Sequence, residues 1–179
     1  INKSFDFLHD HRFWDKERSK PANVYSFAPQ CSTFSIAHTT PIVRTKENPY
    51  GDESNAEIKK ANDMARLVVR RCLRLVNSGA HFQIENPLMS YLWQLDEVQT
   101  LMGLPGVHLV RIDQCTLGTP YQKPQLWLTT NPYLCNYGQV CYHPLPHKAS
   151  LVGGARTRAS EPYPEELATL LADAWAECF

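Results

Sequence analysis

Apolar residues recur by three and four along one stretch of this chain. Ile58, Ala61, Ala65, Val68, Cys72 and Leu75 share one face of a helix predicted from Ala56 to Ser78. Ser54 or Asn55 can accept its first N–H groups, and Gly79 can close its far end. The opposite face carries Lys59, Asp63, Arg66, Arg70 and Arg74. That face reads as a solvated helix surface or as a basic stripe turned to phosphates. Shorter β-rich runs predict strands at 23–28, 81–84, 107–112 and 125–129. Pro87 behind Asn86 suits a first helical position, so a second helix is expected from there to Met102, stopped by Gly103. A last helix is expected from Pro164, with Leu167, Leu170, Leu171, Ala174, Trp175 and Cys178 inward. Residues 39–55 read as a long loop and 131–162 as irregular.

The order strand, helix, strand, helix, strand, strand, helix predicts an α/β fold with a mainly parallel sheet flanked by helices. Ligands of such sheets bind beyond the carboxyl ends of the strands. Cys31 follows the first predicted strand, and Glu85 and Asn86 follow the second. The rule therefore puts a thiol and a carboxyl in one crevice.

Composition narrows the function classes. The 179 residues include 18 Lys plus Arg and 18 Asp plus Glu, for zero formal net charge. A strongly basic nucleic-acid sleeve is excluded, but a local basic face is not. Hydrophobic residues at 43% suffice for the core of one domain. No apolar run approaches the ~20 residues of a membrane span, and residues 1–20 hold no signal-peptide core. The expected setting is intracellular, cytoplasm or nucleus, with no membrane partner. The six scattered cysteines accordingly read as reduced thiols.

Two residues carry the candidate chemistry. Cys31, at a strand-to-loop corner, is either a small buried hydrophobe or a soft nucleophile. Glu85, at a strand end, is either a helix-start acid or a carboxyl whose burial lets it donate a proton to a ring nitrogen. The stretches Gln30-Cys31-Ser32-Thr33-Phe34-Ser35, Glu85-Asn86-Pro87 and Leu117-Gly118-Thr119-Pro120-Tyr121-Gln122-Lys123-Pro124-Gln125 stand in this order. Together they resemble the cytosine-5 DNA methyltransferase family, in the divergent form found in phages and mobile elements. The similarity covers about residues 5–130.

The resemblance implies a partial Rossmann-like methyltransferase fold, with DNA as partner and S-adenosylmethionine as cofactor. Residues 1–130 would form the catalytic half-domain, 131–162 an irregular Cys/His segment, and 163–179 a helix packed on the same domain. Cys31 would attack carbon 6 of a flipped cytosine, and Glu85 would protonate ring nitrogen 3. Asn86 would position Glu85 or the loop, and Lys123 would stand near the base or a phosphate. Asp6, Pro29 and Ser35 would lie on the cofactor side, and Phe34, Arg44 and Gln122 on the substrate side. Residues 36–55, with His38, Arg44 and Lys46, match the family's mobile catalytic loop.

Three departures accompany the likeness. Gln30 stands where the family has proline before the nucleophile. Lys123-Pro124-Gln125 replaces an arginine pair. The glycine-rich cofactor loop is missing, so a cofactor-binding segment upstream or a partner chain is expected to supply it. This last departure supports a second expectation, a nucleic-acid-binding module that kept the fold without catalysis. A third is a cysteine hydrolase pairing Cys31 with His38 or His81.

Separately, Cys135, Cys141, His143 and His147 lie close together in the irregular segment. Four such ligands suit tetrahedral zinc. The alternative is a loop with two buried thiols and two surface histidines. Gly153, Gly154, Arg156 and Arg158 then either meet DNA or turn the chain back.

Overall fold

The computed structural model describes residues 23–36, 44–144, 147–149, 151, 160 and 162–179. The periodic stretch folds as one helix, α1 (Ala56–Ser78). Asn55 caps it by accepting the N–H groups of Glu57 and Ile58, and Gly79 ends it at φ 72°, a conformation that favours glycine. Ile58, Ala65, Val68, Cys72 and Leu75 are buried as the spacing predicts. The charged face is laced with ion pairs. Lys59 meets Asp63, and Arg66 reaches Glu53 at 2.8 Å and Glu97 at 3.3 Å. Those two cations belong to a solvated, paired surface, and Arg70 and Arg74 are exposed.

Four strands form one sheet in the order β1-β2-β4-β3. They are β1 (Val24–Phe27), β2 (His81–Pro87), β3 (His108–Asp113) and β4 (Pro124–Thr129). β1 and β2 are parallel, whereas β4 is antiparallel to both β2 and β3. The sheet is therefore mixed, which corrects the expectation of a mainly parallel one. The cause is local: residues 114–123 are too short a link for a parallel crossover, which needs a dozen or more. Since β4 alone is reversed, β1, β2 and β3 point the same way. Their carboxyl ends and the start of β4 share one edge.

The helix expected from Pro87 starts later. β2 continues through Pro87 because Glu85, Asn86 and Pro87 pair with Trp127, Leu126 and Gln125. A 3₁₀ turn at Tyr91–Gln94, capped by Ser90, precedes α2 (Asp96–Met102), with Leu95 extended between them. Part of the segment expected to be irregular is a 3₁₀ turn at Pro132–Tyr137, capped by Asn131. Past Pro164, α3 (Glu165–Ala176) buries Leu167, Leu170, Leu171 and Ala174. Trp175 is half-buried and donates its indole N–H to Gln83 at 2.8 Å.

The alternation of β2 divides the interior. Phe82 and Ile84 join the larger apolar cluster with α1, α2 and Leu128. Gln83 and Glu85 take the opposite face, where Val110, Ile112, Trp127 and Leu134 pack with α3. Strand periodicity thus carries one acid into this layer, together with the buried amides of Gln83 and Gln125.

Candidate site at the carboxyl edge of the sheet

Glu85 is 9% exposed. The Gln125 amide donates to its Oε1 at 2.6 Å, and the Tyr163 hydroxyl donates to its Oε2 at 3.2 Å. Gln125 is itself held by the Gln114 amide at 3.0 Å. Burial pushes the Glu85 carboxyl above the ordinary carboxylate range, against the Gln125 hydrogen bond, the Lys123 charge and the Tyr163 hydrogen bond. Burial and the facing carboxyl also push the Tyr163 phenol up, so it remains a donor. Lys123 donates to the Ser160 carbonyl.

Asn86 faces the other side of β2 and is buried. Its amide donates to the Pro29 carbonyl at 2.9 Å, two residues before Cys31. Cys31 is exposed, and its carbonyl accepts the N–H groups of Phe34 at 3.0 Å and Ser35 at 2.8 Å. The resulting turn is fastened to the exit of β2 by Tyr91 N–H donating to the Phe34 carbonyl and by the Ser35–Ser90 bridge. Cys31, Glu85, Asn86 and Lys123 all lie toward one edge of the sheet, with Glu85 on the α3 face and Asn86, together with the Cys31 turn that it holds, on the α1 face. Asn86 Oδ1 and Gln114 Oε1 are buried there with no hydrogen-bond partner among the described residues. Buried acceptors normally have partners, so this edge retains bonding capacity.

Several expected site residues do other work. Phe34, expected at the substrate, is 1% exposed and sits in the cluster with α1. Arg44, expected at phosphates, is 2% exposed. All three of its guanidinium nitrogens donate within the protein, to the carbonyls of Thr33, Pro49 and Tyr50, to Asn62 Oδ1 and to Thr33 Oγ1. It also stacks on Phe34 at 4.0 Å, so it clamps the loop shut from inside. Gln122 lies near the Asp113 carboxylate and, against burial, helps to hold it below the ordinary range, as Arg111 and the Cys141 N–H do more strongly.

Of the cofactor-side residues, Pro29 lines a recess of about 790 Å³ with Tyr25, Phe27, Gln30, Met64 and Val68, between β1 and α1. Ser35 is bridged to Ser90. Asp6, His38, Gly153, Gly154, Arg156 and Arg158 lie outside the described residues. Of the residues expected on the cofactor side, Pro29 and Ser35 are the two among the described residues.

A Cys31–His81 pair is ruled out by register. His81 lies beside Val24 at the far end of β2, against Thr130, Trp175 and Phe179. Phe27 is already three residues, about 10 Å, further along the ladder, and Cys31 lies beyond it.

The Cys/His set is also rearranged. Cys135 is exposed on the 3₁₀ turn that packs against α3. In its place Cys115, on the turn after β3, joins Cys141, His143 and His147.

Sequence reasoning missed Tyr163, Gln114 and Cys115. The long return of the chain brings Tyr163 to the edge, whereas Gln114 and Cys115 directly follow β3, where the rule of strand ends could have found them. Gln125 was accessible: β4 alternation places it on the face of Trp127, opposite Glu85. Protein-family models, curated proteins and solved structures yield no match for this chain.

Proposed function

We propose that this chain is the catalytic half of a cytosine-5 DNA methyltransferase-like enzyme, on a partial Rossmann-like fold in which β4 is the reversed strand. The observation that carries the reading is a carboxyl held above its ordinary range, at the same edge as a cysteine turn tethered through Asn86. Each half of the chemistry needs the other. A pyrimidine accepts a thiolate at carbon 6 only when ring nitrogen 3 takes a proton or a strong hydrogen bond.

Cys31 attacks carbon 6 as the thiolate, forming the carbon–sulfur bond, while Glu85 gives its proton to nitrogen 3. The Glu85 carboxylate that results keeps the Gln125 and Tyr163 hydrogen bonds and the nearby Lys123 charge. S-adenosylmethionine, when bound, supplies the electrophilic methyl group for carbon 5. Water takes the carbon 5 proton as the carbon–sulfur bond breaks and Cys31 leaves as the thiolate, and the nitrogen 3 proton returns to Glu85. The base must be flipped, because a stacked ring hides the attacked face.

The partners that fit this reading are DNA and an upstream segment or separate chain completing the cofactor cradle. Among the described residues β1 is laddered to β2 alone, and the recess beside it has the volume of a small-molecule or packing site. DNA as substrate agrees with a cytoplasmic or nuclear setting. Among the described residues no helix is long and apolar enough to cross a membrane.

The test is nuclease digestion and mass spectrometry of DNA incubated with the full chain and S-adenosylmethionine. Formation of 5-methylcytosine that disappears in Cys31→Ala and Glu85→Gln is expected. DNA binding without any 5-methylcytosine would favour the second reading, a binding module.

A further inference from the structure

The end of β3 holds a second constellation that the proposed chemistry does not use. Cys115 lies in the 3₁₀ turn Gln114–Leu117, directly after β3. The chain returns beside β3 at Gln139, which bridges Ile112 in parallel. Gln139 N–H donates to the Arg111 carbonyl at 2.9 Å, and Asp113 N–H donates to the Gln139 carbonyl at 2.8 Å. Asp113, fully buried and held by Arg111 at 2.8 and 2.7 Å, accepts the Cys141 N–H at 2.8 Å. Backbone pairing and a buried carboxylate thus deliver Cys141 to Cys115. His143 and His147 then fold back on the Cys141 sulfur, at 3.6 Å through Nδ1 and 3.2 Å through Nε2.

The ligand atoms of Cys115, Cys141, His143 and His147 all lie within 4.8 Å of one another. Around tetrahedral zinc, with bonds of about 2.3 Å to sulfur and 2.0–2.1 Å to nitrogen, ligand atoms sit roughly 3.4–3.8 Å apart. The cluster needs only a small contraction to reach that geometry. Two thiolates and two imidazoles are a borderline-soft set, which selects zinc over calcium or magnesium.

We propose that Cys115, Cys141, His143 and His147 bind one zinc ion in a closed, structural site. With all four positions filled by protein, the ion has no open position for substrate or water, so it fastens rather than catalyses. What it fastens is the 141–147 loop to the turn after β3. Gln114, next to Cys115, leads through Gln125 to Glu85. The proposal is independent of the methyltransferase reading, since no step of that chemistry passes through the ion.

The experiment measures metal by elemental analysis in the full chain, purified reduced from zinc-supplemented medium. It then follows cobalt(II) uptake by visible absorption. One zinc per chain is expected, with the intense visible bands of tetrahedral cobalt and a thiolate-to-cobalt charge-transfer band. Cys141→Ser and Cys115→Ser should lose the metal, and Cys135→Ser should keep it with unchanged affinity. Cys115 is buried and its variant can misfold, so His143→Ala, at an exposed position, is the second probe. It should weaken cobalt binding at least tenfold while leaving the circular dichroism unchanged. Absence of stoichiometric metal in the wild type would overturn the proposal. So would wild-type affinity in His143→Ala or loss of metal in Cys135→Ser.

Discussion

Arg44 and Glu85 are both ionisable side chains withdrawn from water, and their surroundings differ in kind. Arg44 donates from every guanidinium nitrogen into the loop that it closes and lies flat on Phe34. Asn62, also buried, accepts one of those bonds and donates to the Tyr50 carbonyl at 2.9 Å and to Glu53 at 2.7 Å. Burial pulls the Arg44 pKa down to about 10, still far above neutrality, so its charge persists. Among the described residues, Glu85 has one donor on each oxygen, and the Asn86 and Gln114 side-chain oxygens at that edge have no hydrogen-bond partner. The Arg44 charge is saturated with hydrogen bonds, whereas burial favours the protonated form of Glu85. Both were expected to serve chemistry, and the Arg44 bonds give it a structural role.

The largest expected effect is on the saturated side. Arg44→Met strands several partly buried carbonyls and the buried Asn62 at once, and should cost at least about 3 kcal/mol in urea unfolding. Near-wild-type stability would mean that the clamp does not hold the loop. Next, Asn62→Ala leaves Arg44 and the Tyr50 carbonyl each short of one bond, so a loss of about 1–3 kcal/mol is expected. A double-mutant cycle with Arg44→Met should show strong coupling between the two.

Glu85→Gln should abolish methyl transfer while changing stability in a pH-dependent way. The folded state holds the Glu85 proton more tightly than the unfolded chain does. Its contribution is fully present below the ordinary carboxyl value of about 4.3, and is lost as pH rises through the raised folded value. The variant should therefore gain on the wild type from low pH to neutral. A stability difference independent of pH would show that Glu85 does not titrate high. The smallest effect on folding belongs to Cys31→Ala, which should alter stability by less than about 0.5 kcal/mol, because the side chain is exposed. A much larger loss would make Cys31 a structural residue.

Local patterns carried much of the fold. The face of α1, its Asn55 and Gly79 ends, the strand positions and the apolar side of α3 all follow from spacing and capping chemistry. Strand direction did not, since it depends on how long a link must be to cross over, and 114–123 falls short. The start after Asn86 failed because cross-strand pairing with Gln125 and Leu126 overrode a good helix-start signal. At the site, Cys31 follows β1 as expected, whereas Glu85 and Asn86, expected past the end of a strand, are paired inside β2. Arg44 and Phe34 were misplaced because a basic residue in a polar loop gives no sign of the carbonyls that will enclose it. Cys115 was overlooked for Cys135 because proximity in sequence stood in for proximity in space.

The most direct measurement of the central claim is covalent capture. Duplex DNA carrying 5-fluorocytosine is incubated with the full chain and S-adenosylmethionine, then digested and analysed by peptide mass spectrometry. Fluorine at carbon 5 blocks the final elimination, so the account predicts a stable adduct whose mass maps to Cys31 and which Glu85→Gln suppresses. An adduct on another cysteine, an adduct that survives Cys31→Ala, or no adduct while the DNA is bound would contradict it.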